Sequence, residues 1–298
     1  MKYNLYAVLT GILLFIGSCH GNTPSQKIPA IVSYFISEKP EHRVTLSKKL
    51  REISGLAMTE DGRLFAHNDE QSTVFQLHPK TGDILKSFTV GKRKDDFEGL
   101  AVVGDKFYLV TSEGNIYEFV EGPDGADVPY KLYKTSLSLK NDVEGLCYDP
   151  VTNCLLLACK GSAGKGNSKY KAIFAFFLKT KKLDVTPRFL LEKKAIANSL
   201  DDSFSRKLGD FFLLTNENEF SPSGIEYHSA RDSFFILAAR GKAVLEIDRE
   251  GRFLGLQKLD NKKHLQPEGI TFSKEFDLLI SDEGGNKKAY LSSYPTDK

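Results

Sequence analysis

One short pattern recurs five times in this chain and limits its fold more than any other feature. A Ser or Glu is followed by Gly and then by Leu or Ile, inside an otherwise apolar run. The five copies are "ISGLAM" from Ile53, "FEGLAV" from Phe97, "VEGLCY" from Val143, "PSGIEY" from Pro222 and "PEGITF" from Pro267. The residues before the glycines, Ser54, Glu98, Glu144, Ser223 and Glu268, are 44, 46, 79 and 45 residues apart. A period in the forties is the length of one four-stranded propeller blade. Each unit also reads as short β-branched and aromatic runs broken by Gly and Asp turns. "LFAHND" and "TVFQLHP" follow "GLAM", and "FFILAARG" and "KAVLEIDREG" follow "GIEYH". Long helices are not indicated. The stretch "KAIANSLDDSFSRKL" (194–208), inside the long interval, reads as a helical turn or two.

The expected fold is therefore all-β, a β-propeller with five blades, and six as the alternative. The third blade runs to about Lys194, and about 28 residues then remain before Ser223. That is short for a further four-stranded blade, and no sixth Ser/Glu-Gly occurs there. The segment 31–48, "IVSYFISEKPEHRVTLSK", precedes the first repeat and is expected to supply the outer strand of the last blade. Closing the ring in this way removes free sheet edges.

In such a ring the first strand of each blade lines a central channel. Five equivalent Ser/Glu positions then converge on one axis. The glycine after each lets crowded backbones approach, because it has no Cβ. The Leu or Ile after it points back between blades. Three carboxylates facing one another in a narrow channel need neutralising, either by shared protons or by a cation. An oxygen-only donor set without His or Cys favours calcium, with magnesium second. The expected metal ligands are Ser54, Glu98, Glu144, Ser223 and Glu268. The plain alternative is a wet channel in which water bridges the carboxylates.

The second strands end in polar clusters, which should form a collar at one mouth of the channel. Its candidate ligand-binding residues are Asn68, Asp69, Glu113, Lys160, Arg240, Asp282 and Glu283. Lys160 and Arg240 suit a phosphate or carboxylate, Arg in a bidentate way. The loop "KGSAGKGNSK" (160–169) is rich in Gly and Lys but is not a phosphate-binding P-loop, and it reads as a flexible basic hairpin. His67 is the one histidine placed near the axis, where a lone imidazole packs or hydrogen-bonds more often than it catalyses. GxSxG and HExxH are absent, and no nucleophile constellation stands out. With 41 basic against 39 acidic residues in 298, the net charge of +2 gives no case for nucleic acid.

The chain opens with "MKYNLYAVLTGILLFIGSC". One Lys, a short apolar run and small residues before a cysteine make a signal segment of residues 1–18. Ile16-Gly17-Ser18-Cys19 resembles the bacterial lipobox, which implies that Cys19 is lipidated and holds the chain to a membrane. Residues 19–30 are then a polar tether and residues 31–298 a single propeller domain, exported to the cell envelope and facing the periplasm. Cys147, Cys154 and Cys159 remain. A disulfide between Cys147 and Cys154, on neighbouring strands, and buried free thiols are both open.

"ISGLA", "DFEGLA", "DVEGLCYDP", "PSGIEYH" and "PEGITF", with "DEGG" after the last, resemble the SdiA-regulated (YjiK-like) propeller family of bacterial exported proteins over about residues 45–292. The order Ser, Glu, Glu, Ser, Glu is also similar to the central calcium site of the five-bladed calcium-activated nucleotidases (apyrases). That resemblance implies five blades and a calcium at Ser54, Glu98, Glu144, Ser223 and Glu268. The nucleotidases' phosphate-handling segments have no counterpart here beyond "HND" at 67–69, so the activity does not carry over with the fold. The expected function is a monomeric, calcium-stabilised envelope propeller that binds a small molecule or an envelope protein at its mouth without catalysis. The alternative is a calcium-dependent phosphoester hydrolase of the nucleotidase or phytase kind.

Overall fold

The computed structural model describes residues 28–30, 34, 36, 40–68, 71–91, 95–200 and 220–296. They form five sheets whose consecutive strands pair antiparallel from the axis outward; the first sheet also takes a short parallel edge strand, Asp127–Val128, against Ile84–Val90. The protein is a five-bladed β-propeller. The innermost strands are Ile53–Met58, Phe97–Val103, Val143–Asp149, Ser221–His228 and Pro267–Phe272, and their sheets are numbered here as blades 1 to 5. The last blade takes its outer strand, His42–Thr45, from the start of the chain, where it pairs with Tyr290–Tyr294. The ring closes as the sequence predicts, and no sixth sheet lies among the described residues.

The burial of each strand follows from its place in the blade. Second strands lie between two neighbouring blades and are largely buried, and in Cys154–Cys159 ("CLLLAC") every residue is apolar and buried. Outer strands touch only one side, and Phe189–Glu192 alternates buried with exposed. The hydrophobic core is divided into five clusters, one at each junction between blades. Leu56, Leu100, Leu146, Ile225 and Ile270, the residues after the five glycines, each enter a different cluster. Cys147, Cys154 and Cys159 are buried free thiols, not a disulfide.

The five glycines explain how the blades meet. A Cβ built on Gly55 would lie 2.8 Å from the backbone nitrogen of Leu100, and one on Gly99 2.8 Å from that of Leu146. On Gly145 it would lie 3.0 Å from Ile225 N, on Gly224 2.9 Å from Glu268 O, and on Gly269 2.5 Å from Ser54 O. Each first strand thus presses its glycine against the main chain of the next, and the fifth returns to the first. Backbone cannot swing aside as a long side chain can, so the requirement for Gly is steric at every blade.

One feature differs from the sequence reading. Ile28, placed there in the tether, is buried in the cluster between blades 3 and 4, its N–H donating to Ser199 Oγ at 3.0 Å. The packed domain therefore includes residues 28–30. The helix in the long interval is Lys193–Leu200, with Ile196 and Leu200 buried; residues 201–208 of the expected helix lie outside the described residues, as do the signal segment, Cys19 and the tether up to residue 27.

Replacing Gly99 by Ala forces its Cβ onto the Leu146 backbone. The expected result is a loss of about 2 kcal/mol or more in urea-denaturation stability, in the range seen for overpacked cores. An unchanged midpoint would mean that the blades have slack at the axis.

Candidate functional site

Each first strand carries a register break at the same point. The ladder slips between Ile53 and Leu56, Phe97 and Gly99, Val143 and Gly145, Pro222 and Gly224, and Pro267 and Gly269. The residue left unpaired is Glu98, Glu144, Ser223 or Glu268 in four blades, and Ser54 lies within the break in the first. A bulge bends the strand and re-aims the extra side chain. Glu therefore sits where a regular strand would place Val because the bulge frees it from the ladder at the channel mouth.

In blades 1 and 5 the bulge also frees the N–H of the glycine, and a nearby side chain takes it up. Gly55 N–H donates to His67 Nε2 at 3.0 Å, and Gly269 N–H donates to Ser281 Oγ at 3.0 Å. Burial pushes His67 down to about 4. It stays neutral at pH 7 and keeps the acceptor this contact needs.

Ser54, Glu98, Glu144 and Glu268 line one cavity of about 140 Å³, together with Lys160, Gln266 and Glu283. Ser223 is not among its lining residues. The two serines act between blades: Ser54 Oγ donates to Glu98 O at 2.9 Å and Ser223 Oγ donates to Pro267 O at 2.8 Å. Each hydroxyl latches its blade to the first strand of the next, and its lone pairs still allow it to accept or coordinate.

Among the acidic groups, Glu144 is paired with Lys160 at 2.6 Å. Burial nevertheless pushes Glu144 up to about 7, against the pull of Lys160. Glu268 is pushed to about 8, by burial first and then by Glu144 and Glu283. For Lys160, burial works against the ammonium, but Glu144 outweighs it and raises the pKa. The carboxylates thus crowd a low-dielectric mouth, with Lys160 the one basic side chain lining the cavity. Their chemistry fits a hard cation. Among the described residues, however, no three His, Cys, Asp or Glu side chains converge tightly enough to grip one metal ion.

The second-strand ends lie at this same mouth. Ile53 pairs with Asn68, Phe97 with Thr111, Val143 with Cys159, Ser221 with Arg240 and Pro267 with Asp282. The collar divides by role. Lys160 and Glu283 face the axial cavity, and Arg240 lies to the side, in a second cavity shared with Lys160. Asn68 is buried and donates to Lys49 O at 3.2 Å. Asp282, 1% exposed, bonds His264 Nδ1 at 2.8 Å, and the other nitrogen of that ring meets Tyr294 OH at 2.6 Å. Glu113 is exposed and accepts from Asn115 at 3.2 Å. Asp69 lies outside the described residues. Lys171 and Lys193, which the sequence reading did not select, join Arg240 in the side cavity. Lys171 carries no outward sign, being one charged residue in an apolar third strand.

The opposite mouth has another chemistry. Four residues beyond each Ser/Glu stand Met58, Val102, Tyr148, Tyr227 and Phe272, and all five line a cavity of about 420 Å³. Glu226 beside them accepts from Tyr227 N–H at 2.9 Å and Thr271 Oγ1 at 3.0 Å, and burial raises it to about 7.

A scan against protein-family models gives no match. Among solved structures, the fold is similar to glutaminyl cyclase of Myxococcus xanthus, with a TM-score of 0.57 and 14% identity over 87% of this chain and 95% of that one. It is also similar to the PQQ-bound aldose sugar dehydrogenase of Streptomyces coelicolor, with a TM-score of 0.54 and 13% identity over 91% of this chain and 100% of that one. Both are bacterial β-propellers. At such identities the likeness extends to the fold alone.

The pH dependence of stability follows from the raised carboxyls. Without a divalent ion, the stability contributed by Glu144 and Glu268 is full below about 4.5 and is lost as pH rises through about 7 to 8. His67 and His228, lowered to about 4, act in the opposite direction up to about 6.5. The melting temperature of metal-free protein should therefore fall between about pH 6.5 and 8. Glu268→Gln should flatten that fall without abolishing it, because Glu226 shares the sign. Parallel curves for the two proteins would mean that Glu268 titrates as an ordinary carboxyl.

Proposed function

We propose that this chain is a cation-binding propeller of the bacterial cell envelope, belonging with the SdiA-regulated exported propellers and tethered through lipidated Cys19. Its axial mouth takes calcium, with magnesium the second choice. Glu98, Glu144 and Glu268 would hold the ion with an oxygen from Ser54, while Ser223, outside the cavity lining, would keep to its latch on Pro267 O. The observation that carries this reading is the shared axial cavity, where Glu98, Glu144, Glu268 and Glu283 meet a single lysine. A hard divalent ion would supply the missing positive charge there and return the carboxyls to their ionised form. The mouth around it then binds a small molecule or an envelope partner on a rigid scaffold, without catalysis.

Binding to the folded state adds stability by mass action, about 2.7 kcal/mol at a hundred times Kd. Calcium should raise the melting temperature relative to chelator, and more so at pH 8 than at pH 6. The gain should shrink in Glu268→Gln and in Glu98→Gln. No difference between calcium and chelator at either pH would leave the protonated, wet channel as the answer. Purified protein should release no phosphate from nucleoside diphosphates or phytate. Calcium-dependent release that is lost in Lys160→Ala would replace the binding reading with a phosphoester hydrolase.

A further inference from the structure

The cavity beside the axial one opens between blades 3 and 4 and holds about 540 Å³. Four cationic side chains from four separate elements line it. Lys160 follows the second strand of blade 3, Lys171 is near the start of its third strand, Lys193 begins the helix, and Arg240 ends the second strand of blade 4. Asp142 is the one acidic residue in the lining.

Three observations make this more than a set of surface lysines. Lys171 is buried, 6% exposed, and is tied by its ammonium to the backbone oxygen of Lys160. Burial, then Lys193, Arg240 and Lys160, lower it to about 8 against the pull of Asp142. The side chains of Lys193 and Arg240 have no hydrogen bond or ion pair among the described residues. Lys160 is paired with Glu144 and lies 4.0 Å from Asp142. Among the described residues, Lys171, Lys193 and Arg240 face the open cavity without a carboxylate partner, so their mutual repulsion is left unrelieved. A multiply charged anion relieves this, whereas a single carboxylate leaves most of the cluster unmatched.

We propose that this flank cavity binds a small polyanion through a phosphate group, with Arg240 and Lys193 as its outer contacts and Lys171 beneath. Arg240 suits phosphate oxygens by its planar fork, and the lysines act as point charges. The proposal takes its location from the mouth-binding reading above and gives that ligand a chemical class. It needs no axial cation.

The test is calorimetric titration with pyrophosphate in metal-free buffer at constant ionic strength, with acetate as the comparison. Pyrophosphate should bind and acetate should not. Arg240→Gln and Lys193→Gln, both away from the folded core, should each weaken binding at least tenfold, and both should melt like the parent chain. Lys165→Gln, in the neighbouring loop but outside the lining, should leave it unchanged. Absence of pyrophosphate binding, or an equal loss in Lys165→Gln, would overturn the proposal. Sedimentation of the unlipidated chain with phosphatidylglycerol vesicles separates a lipid phosphate from a soluble one. Vesicle binding that Arg240→Gln abolishes, without pyrophosphate binding, would overturn the soluble-ligand assignment. Because the titration contains no metal, its failure would leave the calcium effect on melting intact, and loss of that effect would leave the titration standing.

Discussion

Backbone meets backbone at five glycines, and the rest of the molecule depends on that approach. Gly55, Gly99, Gly145, Gly224 and Gly269 each face the main chain of the next blade, with no room for a methyl group. The radius of the ring is therefore set by main chain, not by packing of adjustable side chains. At that radius the Leu or Ile after each glycine reaches the junction between blades, and the residue before it is displaced from its ladder toward the mouth. The tripeptide recurs because its three residues answer three separate demands: polar at the mouth, absent at the crossing, apolar in the core.

The channel that results is unlike at its two ends. One end gathers carboxyls whose pKa values burial and mutual repulsion raise, and the other gathers Met58, Val102, Tyr148, Tyr227 and Phe272. Lys160 stands at the boundary between the acidic axial cavity and the basic flank, lining both. The proposed cation at the axis would compete with the Lys160 ammonium for one carboxylate, Glu144. Electrostatics at this mouth are therefore coupled, and pH, metal and anion should be varied one at a time.

The blade count, ring closure and first-strand positions were legible in the sequence because repetition exposes them. A single Glu-Gly says little, but five in phase locate five inner strands. The bulges were not legible, since a slip of one residue leaves no mark on composition. Nor was the latching role of Ser54 and Ser223, whose hydroxyls find carbonyls 44 residues further along the chain. The collar divided in ways that spacing alone does not reveal: Asp282 holds a buried histidine while Arg240, at the matching place in blade 4, faces open space. Lys171 and Lys193 escaped notice because a basic cavity built from separate elements has no linear signature. Ile28 was read as tether from the polar residues before it, yet its side chain completes a core cluster.

The central claim is that the glycine ring brings Glu144 and Glu268 together in one secluded mouth. Carbon-13 carboxyl NMR of glutamate-labelled protein, assigned with single Glu→Gln variants, tests it at the atoms concerned. In metal-free protein the account predicts that these two carboxyls titrate near 7 and 8, and that calcium returns both to the ordinary range or below. Titration of both near the unperturbed value of 4.5 in the absence of metal would contradict it.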